Sequence, residues 1–84
     1  MINNKVILIT GGTGSFGKKF VNICLKKYKP KKIIIFSRDE LKQYDMLNDF
    51  PLSLRKKLRF FIGDVRDLPR LELAMQNVDY VIHA

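Results

Sequence analysis

The 84 residues of the chain suffice for one small domain or for part of a larger one, and an apolar fraction of 46% excludes a disordered polypeptide. No segment approaches the ~18 consecutive apolar residues that a membrane-spanning helix requires, and a single cysteine without a signal-peptide pattern predicts a cytoplasmic protein. The net charge of +8 arises largely from cations grouped at residues 26–32 and 55–59, just before predicted strands, which favours solvated loops over binding of nucleic acid or membrane.

Strands and helices are predicted to alternate along the first half of the chain. Residues 5–10 contain an unbroken apolar run, which indicates a buried strand, and residues 33–36 repeat this pattern. Residues 15–27 have helical periodicity and end before Pro30. The inward face of this helix is predicted to contain Phe16, Phe20, Val21, Cys24, Leu25 and Tyr28. A polar helix is predicted over residues 39–47, and its inward residues are Leu41, Tyr44 and Leu47.

The second half continues the alternation after a segment without a clear pattern. This segment, residues 48–57, is interrupted by Pro51 and receives no assignment. Residues 58–62 predict the third strand, and residues 80–82 predict the fourth. Between these strands, a helix N-cap is predicted at Asp67, and an apolar stripe at helical spacing follows it. The stripe consists of Leu68, Leu71, Met75 and Val78, with Pro69 in the first turn.

The β-α-β-α-β-α-β order predicts an α/β fold of parallel strands joined by right-handed crossovers. The expected strand order is 3-2-1-4, which is the first half of a Rossmann doubly wound sheet. The fourth strand would be a bare apolar edge at the end of the sequence, which stable proteins avoid. We therefore expect residues 1–84 to be the truncated N-terminal part of a nucleotide-binding domain, without its substrate-binding and catalytic segments.

A glycine-rich turn joins the first predicted strand to the first predicted helix. Residues 10–17 read T-G-G-T-G-S-F-G, in which Gly12, Gly14 and Gly17 satisfy the G-x-G-x-x-G pattern. In this context the glycines allow a tight turn, close approach of the backbone to a pyrophosphate, and close packing of helix on strand. The unpaired N–H groups and the dipole at the helix N-terminus attract the same pyrophosphate. The turn therefore predicts a dinucleotide-binding site.

The residues after the second strand bear on which dinucleotide binds. Ser37 occupies the predicted strand end, and Arg38 supplies a planar fork of donors that suits a ribose 2′-phosphate. Lys42, one helical turn further on, adds a second cation. These residues favour NADP. NAD is the alternative cofactor, because the Asp39 carboxylate can accept a hydrogen bond from a ribose 2′-hydroxyl. If no dinucleotide binds at this position, Arg38 is interpreted as a surface charge and Asp39 as the N-cap of the second helix.

Two further strand ends are predicted to meet at the same rim of the sheet. Asp64 follows the third strand, where it can accept a hydrogen bond from the adenine amino group while Val65 packs on the ring. The alternative for Asp64 is a loop carboxylate that bonds nearby backbone N–H groups. His83 ends the fourth strand and is interpreted as a structural residue rather than a catalytic base.

Four stretches of the chain carry a family resemblance. The T-G-x-x-G-x-x-G pattern of the extended short-chain dehydrogenase/reductase family is matched by Thr10, Gly11, Gly14 and Gly17. Within that family the chain resembles the inverting UDP-N-acetylglucosamine 4,6-dehydratases, on residues 9–18, 36–43, 61–67 and 78–84. The S-R-D-E-L-K-Q phrase that follows Phe36 is more specific than the glycines. Residues 52–57 resemble the family less closely, which suggests a lengthened loop.

The resemblance implies a set of cofactor-binding residues. The pyrophosphate would be held by Thr13, Gly14, Ser15 and Phe16, in the turn that Gly11 and Gly17 complete. The 2′-phosphate would be surrounded by Ser37, Arg38, Asp39, Glu40, Leu41 and Lys42. Adenine would lie between Asp64 and Val65, and Ala84 would line the nicotinamide side.

The family's catalytic Asp-Lys pair and Tyr belong to later segments, so no catalytic residue is assigned in this chain, and no metal ligand either. Tyr28 and Lys32 have the Y-x-x-x-K spacing of the family's catalytic motif, but Pro30 between them interrupts any shared helical turn. The 84-residue chain alone is therefore expected to be inactive.

The resemblance also implies a reaction and its partners. Hydride leaves C4 of a UDP-sugar, water is lost across C5 and C6, and hydride returns to C6, so the enzyme would be an NADP-dependent lyase of surface-glycan and pseudaminic acid synthesis. The full-length enzyme is expected to form a homo-oligomer. A non-catalytic NAD(P)-binding module and a related nucleotide-sugar epimerase or dehydratase are the alternatives. A nucleic-acid-binding protein is disfavoured because most aromatic residues fall on apolar faces.

Overall fold

Four parallel strands form a single sheet in the computed structural model, which describes residues 1–84. The strands are β1 (Val6–Thr10), β2 (Lys32–Ser37), β3 (Leu58–Ile62) and β4 (Tyr80–His83). The helices are α1 (Ser15–Lys27), α2 (Glu40–Asn48), α3 (Leu52–Arg55) and α4 (Leu68–Ala74). None of these helices has the length and apolarity needed to cross a membrane. The sheet order is β3-β2-β1-β4, so the predicted Rossmann-type topology is confirmed.

The register of the sheet brings the carboxyl ends of all four strands to one side, here called the carboxyl edge. Thr10 at the end of β1 lies opposite Phe36 of β2 and His83 of β4. Ser37 at the end of β2 lies opposite Ile62 of β3. Because every strand is parallel, the loops after β1, β2 and β3 all leave from this edge. Open α/β sheets bind their ligands at such an edge.

Helices cover both faces of the two central strands, which explains why β1 and β2 are apolar without alternation. On one face, the cluster that includes residues of α1 and α2 consists of Ile9, Val21, Cys24, Leu25, Ile33, Ile35, Met46, Phe50 and Leu58. On the other face, the cluster that includes α4 consists of Val6, Leu8, Ile34, Phe36 and Ala74. The sheet is therefore the middle layer of three, and the site must lie at its edge rather than on a face.

Helix α1 has its predicted bounds but a narrower buried face than predicted. The buried members of the predicted face are Val21, Cys24 and Leu25. Burial raises the pKa of the Cys24 thiol, as expected for an unreactive core residue. The predicted inward positions of Phe16 and Tyr28 are wrong, because these side chains are 61% and 46% exposed. Both lie at helix ends, Phe16 in the first turn and Tyr28 at the C-cap, whereas the buried residues lie between them.

Helix α2 is rotated relative to the prediction. Leu41 and Tyr44 are 68% and 64% exposed, so their predicted inward positions are wrong, and Leu47 is half-buried. The buried residues are Gln43 and Met46. Met46 reaches the apolar cluster, and the Gln43 side chain bonds backbone carbonyls of β2 and β3. These two contacts therefore turn the face of Gln43 and Met46 toward the sheet, and not the face of Leu41 and Tyr44.

The second half differs from the prediction at two helices. The short helix α3 forms within the segment that received no assignment. Helix α4 begins as predicted, with the Asp67 side chain accepting a first-turn N–H and Pro69 in the first turn. It ends at Ala74, its one buried residue, so the predicted stripe does not continue along a helical face. Two members of that stripe are exposed, Leu68 and Met75.

Candidate functional site

The turn between β1 and α1 has the close backbone contacts that the glycine pattern predicts. Gly11 adopts a φ of 68°, in the left-handed region, and its N–H bonds the Phe36 carbonyl oxygen at 3.1 Å. A Cβ at Gly11 would lie 2.9 Å from the carbonyl oxygen of Ala84. A Cβ at Gly17 would overlap the backbone of Gly12. Glycine is therefore required at both positions, which hold α1 and the end of β4 against the turn.

The first turn of α1 presents backbone donors that have no acceptor in the protein. Gly14 is the N-cap and provides no side-chain acceptor. The N–H groups of Ser15, Phe16 and Gly17 are unpaired, whereas the next N–H, that of Lys18, bonds the Gly14 carbonyl at 2.9 Å. Unpaired N–H groups and the positive end of the helix dipole together favour an anion at this position.

Two grooves open at the carboxyl edge and share a wall. The first groove has a volume of about 370 Å³, and its lining includes Gly11, Asp64, Val65 and Ala84. The second groove has a volume of about 560 Å³ and is lined by Thr13, Ser37, Arg38, Asp39, Glu40 and Lys42. Ser37 and Arg38 line both grooves. The structure thus brings the predicted adenine residues next to the predicted 2′-phosphate residues, except for the exposed Leu41, which lines neither groove.

Asp39 has the capping role that was one of its two sequence-based interpretations. Its Oδ1 accepts the backbone N–H of Lys42 at 3.0 Å, and it is the N-cap of α2. Glu40 follows in the first turn, where an acidic side chain is favourable next to the helix dipole. The N-terminus of α2 therefore carries its own carboxylates, and the cations beside it are Arg38 and Lys42.

Asp64 is held by two arginines. Its Oδ1 accepts the backbone N–H of Arg66 at 2.9 Å, and the Arg66 guanidinium bonds both carboxylate oxygens, with Nη2 2.7 Å from Oδ2. Arg38 Nη1 lies 3.6 Å from the same Oδ2. Side-chain hydrogen bonds from Arg66 hold the pKa of Asp64 well below its usual range, and the Arg66 backbone N–H and the charge of Arg38 act in the same direction. Asp64 is therefore an ionised acceptor that orients Arg38.

A buried amide connects α2 to the ends of β2 and β3. Gln43 is 4% exposed, and its Nε2 donates to Ser37 Oγ at 2.8 Å and to the Phe61 carbonyl oxygen at 3.2 Å. The Ser37 carbonyl accepts from the same nitrogen at 3.3 Å and from the Gly63 N–H at 2.9 Å. Neither Gln43 nor Arg66 was predicted as a site residue. The signal for Gln43 was its place in the S-R-D-E-L-K-Q phrase.

Residues with a superficial likeness to catalytic groups have structural positions. His83 Nδ1 forms a hydrogen bond with Thr10 Oγ1, which ties β4 to β1 and supports its interpretation as a structural residue. Tyr28 is the C-cap of α1, and Lys32 is the first residue of β2. Because these two residues belong to different elements, their Y-x-x-x-K spacing does not describe one helical turn.

The lysine-rich segments lie at the opposite side of the sheet from the grooves. The N–H groups of Lys31 and Lys32 bond the Lys5 carbonyl, and the Ile33 N–H bonds the Lys57 carbonyl. The segments before β1, β2 and β3 therefore meet at the amino ends of the strands. The Lys57 ammonium also donates to the Pro30 carbonyl at 3.0 Å. Most of the positive charge is thus separated from the candidate site.

A family model covers nearly the whole chain, including both grooves. The model described as polysaccharide biosynthesis protein matches residues 7–84. The chain belongs to this polysaccharide biosynthesis protein family.

Relatives of the chain include enzymes named for UDP-sugars. The UDP-N-acetylglucosamine 4,6-dehydratase (inverting) of Campylobacter jejuni is 60% identical over 84 residues, which are 100% of the chain and 24% of that protein. The UDP-glucose 4-epimerase of Rickettsia akari is 49% identical over 87 residues, with 100% and 25% covered. The predicted resemblance to the inverting dehydratases is confirmed by the first of these matches.

A solved structure shares the fold of the chain. The Bordetella bronchiseptica enzyme WbmG, determined in complex with NAD, superposes with a TM-score of 0.73 at 25% identity, covering 98% of the chain and 25% of WbmG. The chain therefore spans about a quarter of the length of each of these three proteins.

Proposed function

We propose that the chain is the NADP-binding N-terminal part of a UDP-N-acetylglucosamine 4,6-dehydratase (inverting). The observation that carries this proposal is the 60% identity to the Campylobacter jejuni dehydratase along all 84 residues. The family match supports a role in polysaccharide biosynthesis. Nucleotide-sugar and surface-glycan biosynthesis, with pseudaminic acid synthesis as the specific branch, is what the resemblance to the inverting dehydratases implies. Because the chain spans 24% of that relative, the dehydratase activity is assigned to the whole protein.

The turn after β1 fits the pyrophosphate of a nicotinamide dinucleotide. The unpaired N–H groups of Ser15, Phe16 and Gly17 would donate to its oxygens. Gly14 leaves room for this approach, because a Cβ there would meet only the Gly11 carbonyl oxygen, at 3.6 Å. When bound, the dinucleotide supplies hydride exchange with the sugar, while the protein binds and orients it.

The two grooves fit the adenosine half of the same molecule. Asp64 would accept from the adenine amino group, and the 40% exposed Val65 would pack on the ring. Ala84, which also lines the first groove, would line the nicotinamide side. The residues of the β2–α2 loop would surround the ribose in the second groove, which Thr13, assigned to the pyrophosphate, also lines.

Donors at the end of β2 support NADP over NAD. The Arg38 side chain is 72% exposed, lines both grooves, and offers paired donors to a ribose 2′-phosphate. Lys42 adds a second cation in the second groove. Asp39, the residue that would support NAD, already accepts an N–H as the helix cap. The NAD complex of WbmG keeps NAD as the alternative cofactor.

The whole protein is proposed to be a cytoplasmic homo-oligomeric lyase that takes a UDP-sugar and needs no nucleic acid or membrane. The names of the two relatives support the UDP-sugar. The assignment as a lyase follows from the net loss of water, since NADP is regenerated within each turnover. The acid–base groups of the reaction are assigned to segments outside these 84 residues.

Product analysis tests the proposal. The intact protein, incubated with UDP-N-acetylglucosamine and NADP, should form a 4-keto-6-deoxy sugar nucleotide. The 84-residue chain alone should form none above a protein-free control. A failure of the intact protein to form this product would contradict the proposed activity, and product from the chain alone would contradict the assignment of the catalytic groups.

A UDP-sugar 4-epimerase is the second candidate, favoured by the 49% identity to the Rickettsia akari enzyme. The intact protein would then convert UDP-glucose into its C4 epimer without loss of water. A non-catalytic module would bind the dinucleotide and turn over neither UDP-sugar. Incubation of the intact protein with UDP-N-acetylglucosamine and, separately, with UDP-glucose therefore separates the dehydratase, the epimerase and the binding module.

A further inference from the structure

We infer that Gln43 is a positioning residue that holds the Ser37 hydroxyl as a hydrogen-bond donor toward the 2′-phosphate of NADP. This inference rests on the dinucleotide site proposed above. Gln43 lines neither of the two grooves, but its side chain bonds Ser37, which lines both. Its effect on the cofactor is therefore indirect.

Two backbone carbonyls fix the orientation of the Gln43 amide. Its Nε2 lies 3.3 Å from the Ser37 carbonyl oxygen and 3.2 Å from the Phe61 carbonyl oxygen. A carbonyl oxygen can only accept a hydrogen bond, so the amide oxygen of Gln43 cannot occupy this place. Gln43 is 4% exposed, and an amide oxygen turned toward these two carbonyl oxygens would face acceptors only, away from water, which is costly. The NH₂ group must therefore face the ends of β2 and β3.

This orientation determines the role of the Ser37 hydroxyl. The same Nε2 lies 2.8 Å from Ser37 Oγ, so this oxygen accepts a hydrogen bond from Gln43. A serine hydroxyl carries one proton of its own, and the structure shows no protein acceptor for it. Ser37 is 9% exposed, and both grooves reach it. The Ser37 proton is thus left for a group that occupies the grooves.

A donor at this position discriminates between the two cofactors. A ribose 2′-phosphate carries charge and accepts hydrogen bonds, so a bond from Ser37 would be charge-assisted. The 2′-hydroxyl of NAD is neutral, so the same bond is weaker. Gln43 therefore favours NADP through Ser37, in addition to the direct contribution proposed for Arg38.

Paired titrations of the intact protein with NADP and NAD test this inference. Gln43→Met keeps the length of the side chain and removes its donors. The Kd for NADP should rise roughly three- to tenfold more than the Kd for NAD, the effect of one hydrogen bond. Gln76→Met, the same change at an exposed position after α4, is the matched control and should leave the ratio of the two Kd values unchanged. Equal weakening of both cofactors by Gln43→Met would make Gln43 merely structural and overturn the inference.

The Ser37→Ala background tests whether the effect passes through the serine hydroxyl. There, Gln43→Met should produce no further change in the ratio of the two Kd values. A further change as large as in the wild-type background would overturn the inference, because Gln43 would then act by another route. A wild type that does not prefer NADP would overturn the proposed cofactor together with this inference. A wild type that prefers NADP, with an unchanged ratio in Gln43→Met, would overturn this inference alone.

A measurement on the unaltered Gln43 keeps the inference testable if Gln43→Met does not fold. The side-chain amide protons of Gln43 can be followed by NMR during titration with adenosine 2′-phosphate and adenosine 5′-phosphate. The 2′-phosphate should shift these resonances in the wild type and not in Ser37→Ala. Identical responses to the two nucleotides, or to the 2′-phosphate in wild type and Ser37→Ala, would overturn the inference.

Discussion

Arg38 is placed by an ion pair that contributes little to stability. Its guanidinium lies 3.6 Å from Asp64, but its side chain is 72% exposed, and exposed ion pairs contribute at most about 1 kcal/mol. The pair instead orients the guanidinium along the wall that the two grooves share. The functional value of Arg38 therefore depends on what it binds there.

Cofactor choice should respond to substitutions of Arg38 and Ser37. A charge-assisted bond to a 2′-phosphate contributes about 1.5–3 kcal/mol, or roughly ten- to a hundredfold in affinity. Arg38→Ala should therefore weaken NADP much more than NAD, which has no phosphate at this position. Ser37→Asp should move the preference toward NAD by like-charge repulsion of the phosphate. Calorimetric titration of both cofactors into wild type and the two variants measures these changes.

The same titrations can contradict the assignment of NADP. If Arg38→Ala weakens both cofactors equally, Arg38 has a structural role and NADP loses its main support. If the wild type prefers NAD, Asp39 is the acid that bonds the ribose, in addition to its role as helix cap. Arg59→Ala is a suitable control, because the Arg59 guanidinium bonds only backbone carbonyls of β3 and the segment before it.

The protonation of Asp64 should depend on Arg66. Hydrogen bonds from Arg66 lower the pKa of Asp64 in the folded protein below the ~3.9 of an ordinary aspartate. The pair therefore adds stability above about pH 4, which is lost as the pH falls through the lower, folded-state pKa. In Arg66→Ala the titration midpoint of Asp64 should rise toward ~3.9, as measured by carboxyl NMR. An unchanged midpoint would assign the lowered pKa to another group.

At the scale of elements, the strands and the position of α2 in the chain were predictable, but the buried face of α2 was not. Strands β1 and β2 are buried on both faces, so a run of apolar residues identifies them without tertiary information. Helix α2 is weakly amphipathic, and the prediction placed Leu41, Tyr44 and Leu47 inward. Its observed orientation depends on Gln43, whose amide meets one carbonyl at the end of β2 and another in β3. Such partners become known only when the strands are assembled.

The part of the candidate site that consists of local sequence motifs was predictable. The glycine turn and the residues after β2 and β3 meet at the carboxyl edge because parallel strands end there. Arg66 and Gln43 lie within stretches that carry the family resemblance, but neither was predicted to contact the cofactor. Their roles arise from hydrogen bonds to Asp64 and Ser37, which depend on the conformation of the loop and the helix.

Two glycines at the start of α1 should respond differently to alanine. In Gly17→Ala the new Cβ would overlap the backbone of Gly12, so α1 must move from the turn. This overlap should outweigh the gain of about 1 kcal/mol in helix propensity and destabilise the fold by about 1–3 kcal/mol. In Gly14→Ala the Cβ meets only one carbonyl oxygen, at 3.6 Å, and stability should change by less than about 0.5 kcal/mol.

Urea unfolding and dinucleotide titration together check both glycine variants. Gly14→Ala should keep the fold and still lose affinity, because the methyl group would stand where the pyrophosphate approaches. Equal stability losses in the two variants would mean that the turn is looser than the structure indicates.

At the scale of the molecule, the sheet is covered on both faces but has partly exposed apolar side chains on its outer strand. Tyr80 and Val81 of β4 are 38% and 44% exposed, and β4 pairs only with β1. A domain of this size also buries too little surface to offset its chain entropy comfortably. The 84-residue chain, studied as a monomer, should therefore be only marginally stable.

Thermal unfolding with and without NADP tests this marginal stability and links it to the site. The chain alone should melt below ~60 °C, the upper part of the ordinary range. A ligand at about 100 times its Kd stabilises the folded state by about 2.7 kcal/mol. For a domain of this size that corresponds to a rise in Tm of about 10–20 °C. The same NADP concentration should raise the Tm of Arg38→Ala much less. A monomer that melts above ~60 °C without ligand contradicts the predicted marginal stability. An equal rise in wild type and Arg38→Ala would show that NADP binds without its 2′-phosphate near Arg38.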